Sequence, residues 1–156
     1  MQIILIRHGQ AERQLTTDAE RALTPHGEWQ AQQTAAWLAN HDYQLDGLFS
    51  SPYVRAQQTA NYIAEALDIH ITLCDDIKPD GDPLATLRWL EQLELPDTAT
   101  VALVCHMPIV GRLASFFVDG DSSYGTGFNL AEAKVISMPL FAAGLGKAIA
   151  SFLPQD

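Results

Sequence analysis

Apolar residues recur along this chain in two periods. Unbroken runs such as Ile3-Ile4-Leu5-Ile6 and Val101-Ala102-Leu103-Val104 have the pattern of strands buried on both faces. Between such runs the spacing is helical: Tyr53, Ala56, Ala60, Ile63, Ala64 and Leu67 in one segment, Leu84, Leu87, Leu90 and Leu93 in another. Four segments open on proline, at Thr24-Pro25, Ser51-Pro52, Asp82-Pro83 and Met107-Pro108. Proline suits a first helical turn, and Thr, Ser and Asp are good caps before it. The pattern predicts helices over 25–40, 52–67, 83–94 and 108–118. It predicts strands over 2–7, 46–50, 70–73 and 100–105. Two later apolar runs, 132–140 and 147–153, read as strands joined through a turn holding Gly144 and Gly146.

Alternation of strand and helix implies an α/β fold: three αβα layers around a mostly parallel sheet, with the last pair antiparallel at one edge. A length of 156 residues fits a single domain over 1–156. The short repeat Ala-Gln-Gln-Thr-Ala at 31–35 and 56–60 occurs only twice and marks no solenoid.

Composition narrows the partners. A net charge of −10, with only nine Lys plus Arg, argues against nucleic acid or an anionic membrane as the main partner. Arginines gathered at one place in such a chain need a reason, and a bound anion is a good one. Cys74 and Cys105 form no CxxC pair, and Cys105 ends an apolar run as a core thiol. The N-terminus carries no basic stretch ahead of its apolar run, and no segment approaches the ~18 apolar residues of a membrane helix. The expectation is a cytoplasmic protein.

The candidate chemistry collects just after strands. Strand one leads into Arg7-His8-Gly9, strand two into Ser50-Ser51-Pro52-Tyr53-Val54-Arg55, and the strand at 100–105 into His106-Met107-Pro108. Parallel strands would bring all three clusters to one sheet edge, where open α/β sheets hold their ligands. Two of the clusters precede helices, whose N-termini favour anions. Histidine can act as a nucleophile toward phosphorus, and arginine can grip phosphate oxygens as a fork.

The motifs, in their order along the chain, resemble the histidine phosphatase superfamily, the phosphoglycerate-mutase-like fold. They are Arg7-His8-Gly9, Arg21-Ala22-Leu23-Thr24-Pro25-His26-Gly27, Ser50 through Ala60, and Val104-Cys105-His106. Within that family the chain is similar to the short bacterial phosphohistidine phosphatases, a match carried by residues 73–82 and 106–111. The resemblance implies that His8 is the phosphorylated nucleophile and that Arg7 and Arg55 bind the phosphoryl oxygens. It implies that His106 contacts the phosphoryl group and stabilises the transition state. Arg21 matches a further substrate-binding arginine. No metal and no cofactor are implied.

The general acid is open. Many members carry a glutamate where this chain offers Asp75 and Asp76; Asp76 is the better match, and Asp18 is a second candidate. Only about 50 residues separate Arg55 from His106, which leaves no room for a large helical insertion. A shallow site follows, suited to phosphohistidine presented by a phosphotransfer domain or phosphocarrier, with phosphate or sulfate as an expected occupant. The alternatives are a small-molecule phosphomonoesterase and a non-catalytic binder of phosphoanions. A phosphoreceiver domain is excluded, because Arg7-His8 stands where its acidic pair is needed.

Overall fold

The computed structural model describes residues 1–155. Six strands join one sheet in the order β3-β2-β4-β1-β5-β6. They are β1 (Gln2–Arg7), β2 (Gly47–Ser50), β3 (Ile71–Leu73), β4 (Thr100–Cys105), β5 (Ala133–Ser137) and β6 (Lys147–Phe152). The first four pair in parallel, while β5 and β6 run antiparallel at the edge beyond β1. The helices are α1 (Pro25–Asn40), α2 (Val54–Leu67), α3 (Pro83–Gln92) and α4 (Ile109–Asp119), with 3-10 turns at Asp18–Glu20 and Asp75–Ile77.

The period-two geometry of the strands divides the core. Ile4, Ile6, Ala102 and Val104 pack with Leu38 of α1 and Ala56, Ala60 and Ile63 of α2. Ile3, Leu5, Val101 and Leu103 pack on the opposite face with Leu87 and Leu90 of α3 and Leu113 and Phe117 of α4. Strands covered on both faces have no reason to alternate polar and apolar residues, and these do not. Cys74 and Cys105 are buried free thiols.

Two of the four expected helix starts hold. Thr24 Oγ1 accepts from Gly27 N and Asp82 caps Leu84 N, each with proline following the cap. The other two begin later than the sequence predicts. α2 starts at Val54, because the Ser51 hydroxyl is held by the His106 ring and accepts from Tyr53 N instead of capping a helix. α4 starts at Ile109, with Pro108 itself as the cap residue. β5 is shorter than the predicted 132–140. Met138 N bonds to Met1 O, and Pro139 has no N–H to extend the ladder. α3 ends at Gln92, before Glu94 takes a φ of 50°.

Candidate active site

The register of β1 on β4 sets Arg7 beside Cys105, so the residues following each strand meet. His8 N donates to Cys105 O at 3.0 Å, and Ala131 N donates to His8 O at 3.0 Å. The imidazole of His8 therefore rises from a backbone pinned on both sides. Its Nδ1 lies 2.6 Å from Gly9 O. A carbonyl only accepts, so Nδ1 carries the proton and Nε2 presents a lone pair. Arg55 Nε donates to that lone pair at 3.2 Å.

Arg55 is only 4% exposed despite its charge, and His106 only 1%. The His106 ring centroid is 5.1 Å from that of His8, and the Tyr53 ring meets His106 edge-on. His106 Nε2 is 2.7 Å from Ser51 Oγ. Ser51 Oγ also accepts from Tyr53 N, and a hydroxyl can either donate to Nε2 or accept from it. The other ring nitrogen, Nδ1, is buried and has no partner in the protein. Arg7 donates through Nη1 to Phe128 O at 2.8 Å, while its buried Nε is likewise unpartnered. An unpartnered N–H of Arg7 and an unpartnered ring nitrogen of His106, beside the unprotonated Nε2 of His8, define a place for an anion.

Burial is the main reason the His8 pKa is lowered to about 4; the Gly9 bond opposes the shift, and Arg55, Arg7 and Arg21 reinforce it. His106 is lowered to about 2, first by burial and then by His8 and Arg55. Both imidazoles are neutral at pH 7.

The structure brings Arg7, His8, Arg55 and His106 together, as the sequence predicts. It adds Arg21 and Asp18 at the margin. Asp18 Oδ1 is 3.0 Å from Arg21 Nη1, and Asp18 Oδ2 is 3.1 Å from Arg55 Nη2. Asp76 is half-buried in the second 3-10 turn; its carbonyl accepts from Thr86 Oγ1, and no side-chain bond joins it to the cluster among the described residues.

Three supporting residues escape a reading of sequence alone. Ser51 looks like a helix cap but holds His106. Tyr53 carries no motif of its own, yet its ring touches His106 and lies 5.2 Å from the Arg55 guanidinium. Thr59 is buried in α2, where its Oγ1 accepts from Gly9 N and donates to Arg55 O, tying nucleophile loop to arginine helix. Gly9 serves close backbone packing. A Cβ there would lie 2.5 Å from Gly27 O, and one on Gly27 would lie 2.0 Å from Gln10 O. The two glycines let the nucleophile loop and the start of α1 touch backbone to backbone. Gly27 is thus a packing glycine, in keeping with its place in the helix.

The chain belongs to the histidine phosphatase superfamily (branch 1), whose family model matches residues 3–78. It is 33% identical over 124 residues to the phosphohistidine phosphatase SixA homolog of Haemophilus influenzae, covering 74% of this chain and 76% of that protein. It is 27% identical over 124 residues to the phosphohistidine phosphatase SixA of Escherichia coli, covering 78% and 77%. Among solved structures, the protein histidine phosphatase SixA complexed with tungstate superposes with a TM-score of 0.86 at 24% identity, over 98% of this chain and 97% of that one. The three-layer, mostly parallel architecture without a large insertion is thereby shared. No described helix is long and apolar enough to cross a membrane.

Proposed function

We propose that this protein hydrolyses phosphohistidine on a partner protein, through a phosphohistidine intermediate at His8. The observation that carries the reading is the unprotonated Nε2 of His8, which accepts from Arg55 and is flanked by the unpartnered Nε of Arg7 and Nδ1 of His106. A phosphoryl group lodged there accepts from Arg7 and Arg55, and from His106 in the tautomer that carries its proton on Nδ1.

In the first step the Nε2 lone pair forms an N–P bond to phosphorus. The P–N bond of the substrate breaks, and its electron pair leaves with the substrate ring, which already carries a proton on its other nitrogen and so departs as neutral imidazole. In the second step water attacks phosphorus, the electron pair of the His8 N–P bond returns to Nε2, and both water protons leave with dihydrogen phosphate. Arg7, Arg55 and His106 spread the charge on the transferring oxygens, which is the main work in phosphoryl transfer. Those cationic and neutral donors supply what a divalent ion supplies elsewhere, so turnover should survive a chelator.

A protein substrate suits the surroundings. A groove of about 430 Å³ leads away from Arg7 between Gln30, Asn129 and Leu153. Another, of about 280 Å³, borders Arg21 between Glu12 and Leu15. Leu15 at 82% and Leu153 at 39% exposure offer apolar contacts to a partner protein. The superfamily's alternatives, a small-molecule phosphomonoesterase or a passive phosphoanion binder, leave those grooves or the unprotonated Nε2 without a use.

The test is transfer of labelled phosphate from a phosphorylated histidine domain, with EDTA present. Wild-type protein should gain an acid-labile, alkali-stable label and release phosphate, and His8→Ala should do neither. Release by His8→Ala at the wild-type rate, or a requirement for metal, would overturn the mechanism. A sugar phosphate hydrolysed with tenfold higher kcat/KM, about 1.4 kcal/mol in the transition state, would overturn the substrate class alone.

A further inference from the structure

Arg55 is gripped from behind. Its Nη1 donates to the main-chain oxygen of Asp18 at 2.7 Å, and its Nη2 donates to Asp18 Oδ2 at 3.1 Å. The same carboxylate receives Arg21 Nη1 on its other oxygen at 3.0 Å. Arg21 in turn is anchored through Nε to Glu12 O at 2.7 Å. Asp18 therefore joins an arginine of α2 to an arginine of its own loop, and main-chain oxygens support both.

A planar guanidinium has two ways to meet an oxyanion. The end-on pair uses one N–H from each terminal nitrogen. The side-on pair uses Nε–H and the nearer N–H of Nη2. Asp18 occupies the end-on pair of Arg55, leaving the side-on pair toward His8 Nε2, the direction in which Nε is seen to point.

We infer that Asp18 is a positioning residue, which acts by holding Arg55 end-on so that its side-on face meets the phosphoryl group. This inference rests on the phosphatase reading and deepens it. It also assigns Asp18 a role other than the proton donor that the sequence leaves open. A general acid needs a proton to give, and Asp18 has two cationic neighbours that oppose its having one. Burial disfavours the ionised form, but the hydrogen bonds from Arg21 and Arg55 outweigh it and hold the carboxyl below its usual range. The groups facing it are Arg55 from α2 and Arg21 from its own loop; both are cations, and both favour the carboxylate.

The two roles separate by substitution. Asp18→Asn keeps an oxygen to accept from Arg55 but has no carboxyl proton to donate. Asp18→Ala removes both the oxygen and the acid. A positioning residue predicts that Asp18→Asn stays within about threefold of wild-type kcat/KM on a phosphohistidine domain, while Asp18→Ala falls on the order of 10- to 100-fold, the scale set by a misplaced catalytic group. The gap between the two variants should vanish when Arg55 is replaced by Ala, because a double-mutant cycle reports only what passes through the pair. A proton donor predicts equal losses in the two variants, and the same loss with or without Arg55.

A second readout needs no turnover. The Arg55 Nε–H resonance in a nitrogen–proton NMR spectrum should be sharp in wild type and Asp18→Asn and exchange-broadened in Asp18→Ala. Equal losses in the two variants, a loss that persists without Arg55, or an unchanged resonance in Asp18→Ala would overturn the inference and leave the phosphatase reading standing. If the wild type fails to hydrolyse phosphohistidine while the resonance behaves as expected, the phosphatase reading falls and the hold of Asp18 on Arg55 survives.

Discussion

The floor of the site and its rim are built differently. The floor residues His8, Arg55 and His106 are 7%, 4% and 1% exposed, and they stand at the end of β1, in the first turn of α2 and just after β4. Main-chain bonds across the sheet fix His8, and Ser51 and Thr59 fix what surrounds it. The rim residues Arg21 and Asp18 keep 29% and 42% of their side chains exposed, and they hang from a loop. The difference separates two tasks. A buried, pre-formed floor can hold neutral imidazoles and a guanidinium aimed at the nucleophile ready for an anion, because sheet and hydrogen bonds supply the rigidity. An exposed rim can adjust to a partner, since its ion pairs are partly screened by water.

The sharpest test of that contrast is activity. Arg55→Ala and His106→Ala should each lower kcat by about 10²–10³-fold, the range for losing one preorganised transition-state donor. Arg21→Ala should cost about tenfold, in keeping with a partly exposed contact. Equal losses at Arg21 and Arg55, in steady-state rates on a phosphohistidine domain, would erase the distinction between floor and rim.

Stability offers the next test. Gly27→Ala places a methyl against the Gln10 carbonyl, and backbone cannot step aside as a flexible side chain can. About 3 kcal/mol of destabilisation in urea melts is expected, with the nucleophile loop displaced. A melt within experimental error of wild type would mean that this part of the floor yields more readily than its packing implies.

Acid should weaken the floor before the rim. Unfolded histidine takes a proton near 6.5, while folded His8 waits until about 4. Between those values the unfolded chain binds more protons, so stability falls as pH drops from 6.5 toward 4. His8 alone contributes a loss of about 2 kcal/mol by pH 5, and His106 adds to it in the same direction. His8→Asn should lose less stability than wild type over that interval. Identical slopes for the two would show that His8 is not held neutral by the fold.

The smallest effect is expected at Asp76. Its side chain does not bond to the cluster, and an imidazole protonated on its other nitrogen is a good leaving group. Asp76→Asn should keep kcat/KM on a phosphohistidine domain within about threefold. A tenfold loss there would make Asp76 the general acid and move part of the chemistry to the rim.

The same contrast marks what the sequence discloses. Each floor residue follows a local signal: Arg7-His8 and His106 follow apolar runs, and Arg55 follows a serine-proline break. Their supports do not. Ser51 has the sequence of a helix cap, and only its tertiary bond to His106 shows that the local preference is overridden. Thr59 is one more small residue in an amphipathic helix until Gly9 is placed against it. Asp18 sits three residues from Arg21 as any surface acid might, and its hold on Arg55 depends on a loop path that no periodicity encodes. The strands and helices were legible because burial imposes a period, while the loops between them obey none.

The strand order has a consequence for the making of the protein. β4 fills the gap between β1 and β2, so Arg7 finds its neighbour Cys105 only after most of the chain has been synthesised. Ala131, which secures the His8 carbonyl, emerges later still. On the ribosome the first strand waits without its central partner while α1, α2 and α3 are made behind it. Contacts so distant in sequence are slow to close. The nascent chain therefore carries its nucleophile from the start and stays inert until β4 slides into place, which makes catalytic competence one of the last properties the molecule acquires.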